Sequence, residues 1–203
     1  MRILVVGDGK VGHTLAEHLA REGHDVVIVD RSEEVLQRSE DTLDVLCVRG
    51  NGANAATLVD AGADKADIII AATASDETNM LCCLVAKKLG TKYSIARIRD
   101  PEYNDSLTLL QREMGIDMPF NPERATALEI SRLLRFPFAS NIESFAKGRV
   151  EMVEFRAQEH DVVVGHALKD LPRKLNGLPQ VLYAAVEREG NVCLLYTSPS
   201  PRD

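Results

Sequence analysis

Three glycines and one carboxylate carry the most legible chemistry in this chain. Gly7, Gly9 and Gly12 form the turn Gly-Asp-Gly-Lys-Val-Gly, and Asp30 follows 18 positions after Gly12. Residue types in this pattern suit a pyrophosphate and a ribose. Gly7 allows the tight turn, Gly9 lets the backbone approach a diphosphate, and Gly12 lets a helix pack closely on a strand. A helix starting there offers unpaired N–H groups and a partial positive charge to phosphate oxygens. Asp30 can accept both ribose hydroxyls, and its spacing lies close to the roughly 20 residues expected for such an acid. Asp8, Lys10 and Val11 lie within the turn and join the candidate cofactor-binding set. Lys10 can reach a terminal phosphate or remain a solvated loop lysine.

Further candidates fall where later strands should end. Arg49-Gly-Asn-Gly-Ala-Asn54 is a loop of small residues in which Asn51 can approach a base or ribose. In Ala72-Thr-Ala-Ser-Asp-Glu-Thr-Asn79, Ser75 or Asp76 suits a helix N-cap. The sharper reading puts Thr73 and its backbone on the wall of the cleft. Arg97 and Arg99 share one face of a strand. A buried-strand arginine needs an anion, so Arg97 is assigned to a phosphate and Arg99 to a surface acid. The five histidines (13, 18, 24, 160 and 166) have no Ser, Cys or second His at catalytic spacing and read as surface or cap residues. No catalytic or metal-binding residues are expected.

The elements that must position these groups alternate. Strands are predicted at 2–6, 25–29, 45–48, 67–71, 93–98 and 116–118, with helices at 11–22, 32–41, 53–60, 76–89 and 102–113. Short connections and Val/Ile/Leu-rich strands imply a parallel sheet with helices on both faces. The fold class expected is α/β: a doubly wound Rossmann domain with 3-2-1-4-5-6 strand order, followed by a partial small α+β module. Residues 1–118 are read as the nucleotide-binding domain and 119–145 as a linker with a helix at 123–134. Residues 146–192 are read as a truncated module, with an edge strand at 150–155, a segment 162–171 and a strand at 181–186. Residues 193–203, which end in Ser-Pro-Ser-Pro-Arg-Asp, resemble a translated sequencing adapter and are expected to be a non-native tail.

Composition narrows the function. Of 203 residues, 45% are hydrophobic, which suits a domain with a real core. Net charge is −7, which argues against a nucleic-acid partner. No leader is expected, because the N-terminus enters a strand at once. No apolar run approaches the roughly 18 residues of a membrane-spanning helix. Cys47, Cys82, Cys83 and Cys193 lack metal-ligand spacing and read as reduced core thiols.

Taken together, several segments carry a family resemblance. They are Met1–Gly12, Gly23–Asp30, Gly50-Asn-Gly52, Ala72–Met80, Ala96-Arg-Ile-Arg99 with Pro101-Glu-Tyr103, and Gly115-Ile-Asp117 with Asn121-Pro-Glu123. In that order they resemble the RCK/KTN family of ligand-sensing domains, in particular the regulatory subunits of bacterial Trk potassium-uptake systems. The resemblance implies a non-enzymatic, cytoplasmic regulator, held at the inner membrane face through its partner. Such a protein binds NAD(H), or alternatively ATP/ADP, and gates a Trk-type potassium transporter as a homo-oligomer. It also implies two tandem halves, of which this chain holds the first. Arg31 invites a 2′-phosphate, but Asp30 opposes one by charge, which ranks NAD above NADP. The alternative is an NAD-dependent dehydrogenase fragment that lacks its substrate domain.

Overall fold

The structure is a computed structural model and describes residues 1–161, 163–166 and 182–194. It divides into two units, Met1–Ser131 and Arg132–Asp203.

The first unit is built on six strands: β1 (Arg2–Val6), β2 (Asp25–Asp30), β3 (Leu46–Arg49), β4 (Ile68–Ala71), β5 (Tyr93–Arg97) and β6 (Met118–Phe120). The helices are α1 (Lys10–Arg21), α2 (Glu33–Thr42), α3 (Ala55–Asp60), α4 (Asp76–Leu89), α5 (Leu107–Met114) and α6 (Pro122–Arg135), the last of which continues past the end of the unit at Ser131. All six strands are parallel, in the order β3-β2-β1-β4-β5-β6. This is the doubly wound fold expected from the alternating pattern. Val6 lies opposite Val29 on one side and Ala71 on the other, so the strands end level. The chain winds one way from β1 to β3 and the other way from β4. That reversal leaves a crevice beyond the C-terminal ends of β1 and β4.

Burial follows from strand geometry. Successive side chains of a strand point to opposite faces. Ile3, Val5, Val26, Ile28 and Ile70 pack with Ala16 of α1 and Leu36 of α2. Leu4, Val6, Val27, Val29 and Ile69 pack with Leu58 of α3 and with Met80, Cys83 and Ala86 of α4. Near-continuous apolar strands are what a sheet covered on both faces requires.

Local departures from the predicted elements have physical causes. Pro101–Ser106 forms a 3-10 turn before α5 rather than the start of one long helix. Strand β5 stops at Arg97, so Arg99 leaves the alternation. Strand β6 sits at 118–120 rather than 116–118, because the buried Ile116 is still tied to α5 by its N–H donating to Gln111 O.

In the second unit, β7 (Ala139–Phe145) pairs antiparallel with β8 (Val150–Phe155) through a 3-10 turn at Ala146–Gly148. The predicted edge strand at 150–155 is present. Its partner β7 was not predicted, because Ala-Ser-Asn-Ile-Glu-Ser-Phe alternates poorly and follows a proline. A shift of register between Ala139 and Asn141 breaks that alternation further. A second hairpin joins β9 (Ala185–Arg188) to β10 (Asn191–Leu194). The strand predicted at 181–186 therefore begins later, at Ala185; position 181 lies outside the described residues. Position 162 and residues 167–171 of the predicted segment 162–171 also lie outside, while 163–165 form a turn. Cys193 and Leu194, read as the start of a tail, are strand residues of β10; the remaining tail positions lie outside the described residues. Phe138 meets Phe136 and Phe155 edge to face, with centroids 6.2 and 6.0 Å away.

Candidate functional site

The crevice above β1 and β4 is built first by its glycines. Gly7 has φ +95°, and a Cβ there would come 2.8 Å from the Thr73 backbone nitrogen. Only glycine lets β1 turn so close to the loop after β4. A Cβ on Gly12 would fall 1.8 Å from Gly7 O, so α1 can cross its own turn only with glycine at this position. Gly9 differs from both. A Cβ there would meet no atom within 4 Å, which leaves its backbone open to the crevice.

Gly9 also caps α1. The helix has no side-chain cap bond and no acid in its first turn. By contrast, α2, α3 and α4 are capped by Ser32, Asn54 and Ser75, which accept N–H bonds from Val35, Ala56 and Thr78. The first N–H groups of α1 therefore face the crevice without a side-chain acceptor, where they favour an anion.

The sequence candidates converge here. Gly7, Gly9, Lys10, Val11, Asp30, Thr73, Arg97 and Glu123 line one recess of about 510 Å³. An adjoining recess adds Arg31, Asn51, Gly52, Ser75 and Thr78. Asp30 stands between the two. Its Oδ2 accepts the Asp8 backbone N–H at 2.8 Å and its Oδ1 accepts the Ser32 N–H at 2.9 Å. The carboxylate plane is thus fixed, and each oxygen keeps acceptor capacity for a further donor.

Two candidates do not line the crevice. Gly12 lies beneath it. Asp8 turns its side chain inward: it is only 3% exposed, and its Oδ2 accepts the Ser39 hydroxyl at 2.6 Å. His13, read as a surface or cap residue, belongs to the same cluster, with Nδ1 2.9 Å from Ser39 Oγ and 3.3 Å from Asp8 Oδ1.

The far wall rests on a residue given no role from sequence. Asn79 of α4 is fully buried. Its Oδ1 accepts the Thr73 N–H at 2.8 Å and the Thr73 hydroxyl at 2.6 Å, and its Nδ2 donates to Thr73 O and Arg97 O. One amide thereby joins the loop after β4 to the end of β5. The available signal was an asparagine on the apolar face of a helix, where a buried amide must find partners.

Arg97 reaches the crevice but is engaged there by Glu123. Its Nε is buried and makes no hydrogen bond. Burial would push the Glu123 carboxyl up, but its own backbone N–H and the Arg97 guanidinium outweigh this and hold it below the usual range. Arg99 pairs with Asp76 at 3.3 Å, and that acid is buried rather than on the surface. Asp76 also accepts the N–H groups of Arg99 and Asp100, so Ser75, not Asp76, is the helix cap. Beside it, the Tyr103 hydroxyl and then the Ser75 hydroxyl bond Glu77 and bring its carboxyl down to about 2.

Burial keeps three of the four thiols protonated. Cys82 and Cys83 are buried and Cys47 partly so, and desolvation pushes each up to about 12. Cys193 is exposed and corrects the reading of all four as core thiols. Among the described residues no cluster of His, Cys, Asp or Glu could hold a metal ion, and no helix is long and apolar enough to cross a membrane.

Sheet order, glycine turn and the helices on both faces together define a Rossmann-type domain. The chain belongs to the TrkA-N domain family, which it matches over residues 3–122. It is 38% identical over 193 residues to a Trk system potassium uptake protein TrkA homolog from Archaeoglobus fulgidus. That match covers 95% of this chain and 43% of the relative, so the chain spans less than half its relative's length. Among solved structures it is similar to the GsuK channel bound to NAD (25% identity, TM-score 0.50, 58% of this chain and 21% of that one). It is equally similar to GsuK bound to ADP (25% identity, TM-score 0.50, 59% and 31%).

Proposed function

We propose that this chain is the nucleotide-sensing part of a longer, non-enzymatic subunit that regulates a Trk-type potassium transporter. NAD(H) is the foremost ligand and ADP or ATP the second. Supporting the ligand class is the pairing, in one crevice, of an uncapped α1 N-terminus with an acid fixed by two backbone N–H bonds. In this reading the diphosphate lies over Gly7, Gly9, Lys10 and Val11, with Gly12 providing the close helix packing. Asp30 takes the adenosine ribose hydroxyls, flanked by Arg31 and Asn51. Thr73 borders the path between the two recesses, and Arg97 shares its guanidinium between Glu123 and a phosphate. Asp30 disfavours a 2′-phosphate, which places NAD above NADP.

The A. fulgidus relative carries the potassium-uptake name and GsuK was solved with NAD and with ADP, which supports both the partner and the ligand class. Residues 1–118 serve as the sensing domain, 119–145 as the connection, and 146–192 as the first part of a second module. The protein acts as a homo-oligomer on the cytoplasmic membrane face through the transporter. Titration calorimetry with NADH, NAD, ADP and ATP tests the ligand reading; no heat of binding from any of them would end it. Incubation of the NADH complex with aldehydes, ketones and keto acids should leave the reduced-nicotinamide absorbance unchanged. Steady loss above a protein-free control would replace the regulator with a dehydrogenase.

A further inference from the structure

The second residue of the glycine turn, Asp8, makes no use of the crevice it borders. Its side chain instead turns inward to Ser39 in α2 and is only 3% exposed. A buried carboxylate is costly unless it is hydrogen-bonded. Here the Ser39 hydroxyl donates to Oδ2 at 2.6 Å, and the Ser39 oxygen lies 2.9 Å from His13 Nδ1. Ser39 is itself fully buried. The Asp8 backbone points the other way. Its N–H donates to Asp30 Oδ2 at 2.8 Å.

The neighbours of Asp8 explain why such an anchor matters. Gly7 sits at φ +95°, and Gly9 has open space where a Cβ would be. A peptide flanked by glycines has little intrinsic preference for one orientation. The Gly7 N–H, donating to Val29 O at 2.8 Å, holds the start of the turn, and the side chain of Asp8 is what holds the residue that follows. Ser39 and His13 are the groups that grip its side chain.

We propose that Asp8 is a positioning residue for ribose recognition. Clamped by Ser39 and His13, it holds its own amide on Asp30 and so fixes the carboxylate that takes the ribose hydroxyls. This rests on the nucleotide reading above.

The test compares ADP with 2′,3′-dideoxy-ADP by calorimetry in the wild type, Ser39→Ala, Asp8→Asn and Asp8→Ala, with melting curves to confirm folding. The wild type should prefer ADP by roughly tenfold or more, the scale of a hydrogen bond to a charged group. Ser39→Ala and Asp8→Ala should lose most of that preference while binding the dideoxy compound nearly as before. Asp8→Asn, whose carbonyl can still accept the Ser39 hydroxyl, should keep most of it. A clamp with a merely structural role would weaken both ligands alike, and that outcome overturns the proposal, as does an unchanged preference in Ser39→Ala. If Asp8→Ala does not fold, Ser39→Ala and Asp8→Asn decide. A wild type with no preference for ribose hydroxyls refutes the Asp30 reading itself, a failure distinct from an unaltered preference in the variants.

Discussion

The chain buries its side chains very differently before and after Ile116. Up to Ile116 the chain fills both faces of a six-stranded sheet, with Ile3, Leu4, Val5, Ile28 and Ile69 each at most 1% exposed. Beyond Ile116 no described side chain is buried. The fourteen-residue helix α6 contains no buried residue, although Leu128, Ile130, Leu133 and Leu134 are apolar. Strand β8 exposes Val150, Met152 and Phe155. Since apolar burial dominates folding free energy, the first unit supplies its own stability, and the apolar faces that follow are suited to covering by another chain.

The sharpest way to break this contrast is to truncate one apolar side chain in each unit. Ile28→Ala should cost about 3–5 kcal/mol, as for large-to-small changes in a tight core. Met152→Ala, at 47% exposure, should stay within about 0.5–1 kcal/mol. Urea unfolding of both variants makes the comparison; equal losses would show that the second unit has a core of its own. Within the first unit, Asp30 joins function to stability. Asp30→Ala should weaken NAD or ADP binding by about 1.5–3 kcal/mol and, because it leaves the Asp8 and Ser32 N–H groups without their acceptor, should lower unfolding free energy by about 1–2 kcal/mol. Unchanged affinity in calorimetry would remove the ribose assignment.

The exposed helix gives the next test. Leu133→Asp with Leu134→Asp should turn a homodimer into monomers that still bind nucleotide, because the glycine turn lies elsewhere. Sedimentation of wild-type protein as a monomer at tens of micromolar would argue against covering by a second copy. The smallest effect is electrostatic. Glu77 lies far below its ordinary value near 4.5, at about 2, because the Tyr103 and Ser75 hydroxyls bond its charged form. A carboxylate depressed in the native state adds stability that is complete above its unfolded value and lost as pH falls through the native one. Tyr103→Phe should therefore lower stability slightly at pH 6 and flatten the decline between about pH 4.5 and 2. An unaltered acid profile would show that this bond contributes nothing.

What could be read from sequence follows the same division. Strands β1 and β2 are continuous apolar runs, and only a sheet covered on both faces explains them, so their order and crevice were legible. That the glycine turn, Asp30, Thr73 and Arg97 would come together at one recess was legible, because backbone approach and charge restrict residue type. Asn79 was not, because its role depends on the Thr73 loop and the end of β5 meeting it, and no local pattern records that. The inward turn of Asp8 was hidden for the same reason: its partner Ser39 lies 31 positions away. Arg99 was misplaced because strand alternation was carried past the end of β5. Strand β7 was missed because its register comes from β8 rather than from its own pattern.

The position of β1 has a consequence for how the crevice comes into being. β1 is the first strand in sequence and lies at the centre of the sheet, with β4 as its second neighbour. Gly7 therefore reaches Thr73 only after some 65 intervening residues have been ordered. Such long-range parallel pairing forms slowly. The crevice has no partial version in a half-built sheet, and a nucleotide can select only the finished domain. Bound ligand should accordingly slow unfolding while leaving the early steps of folding untouched.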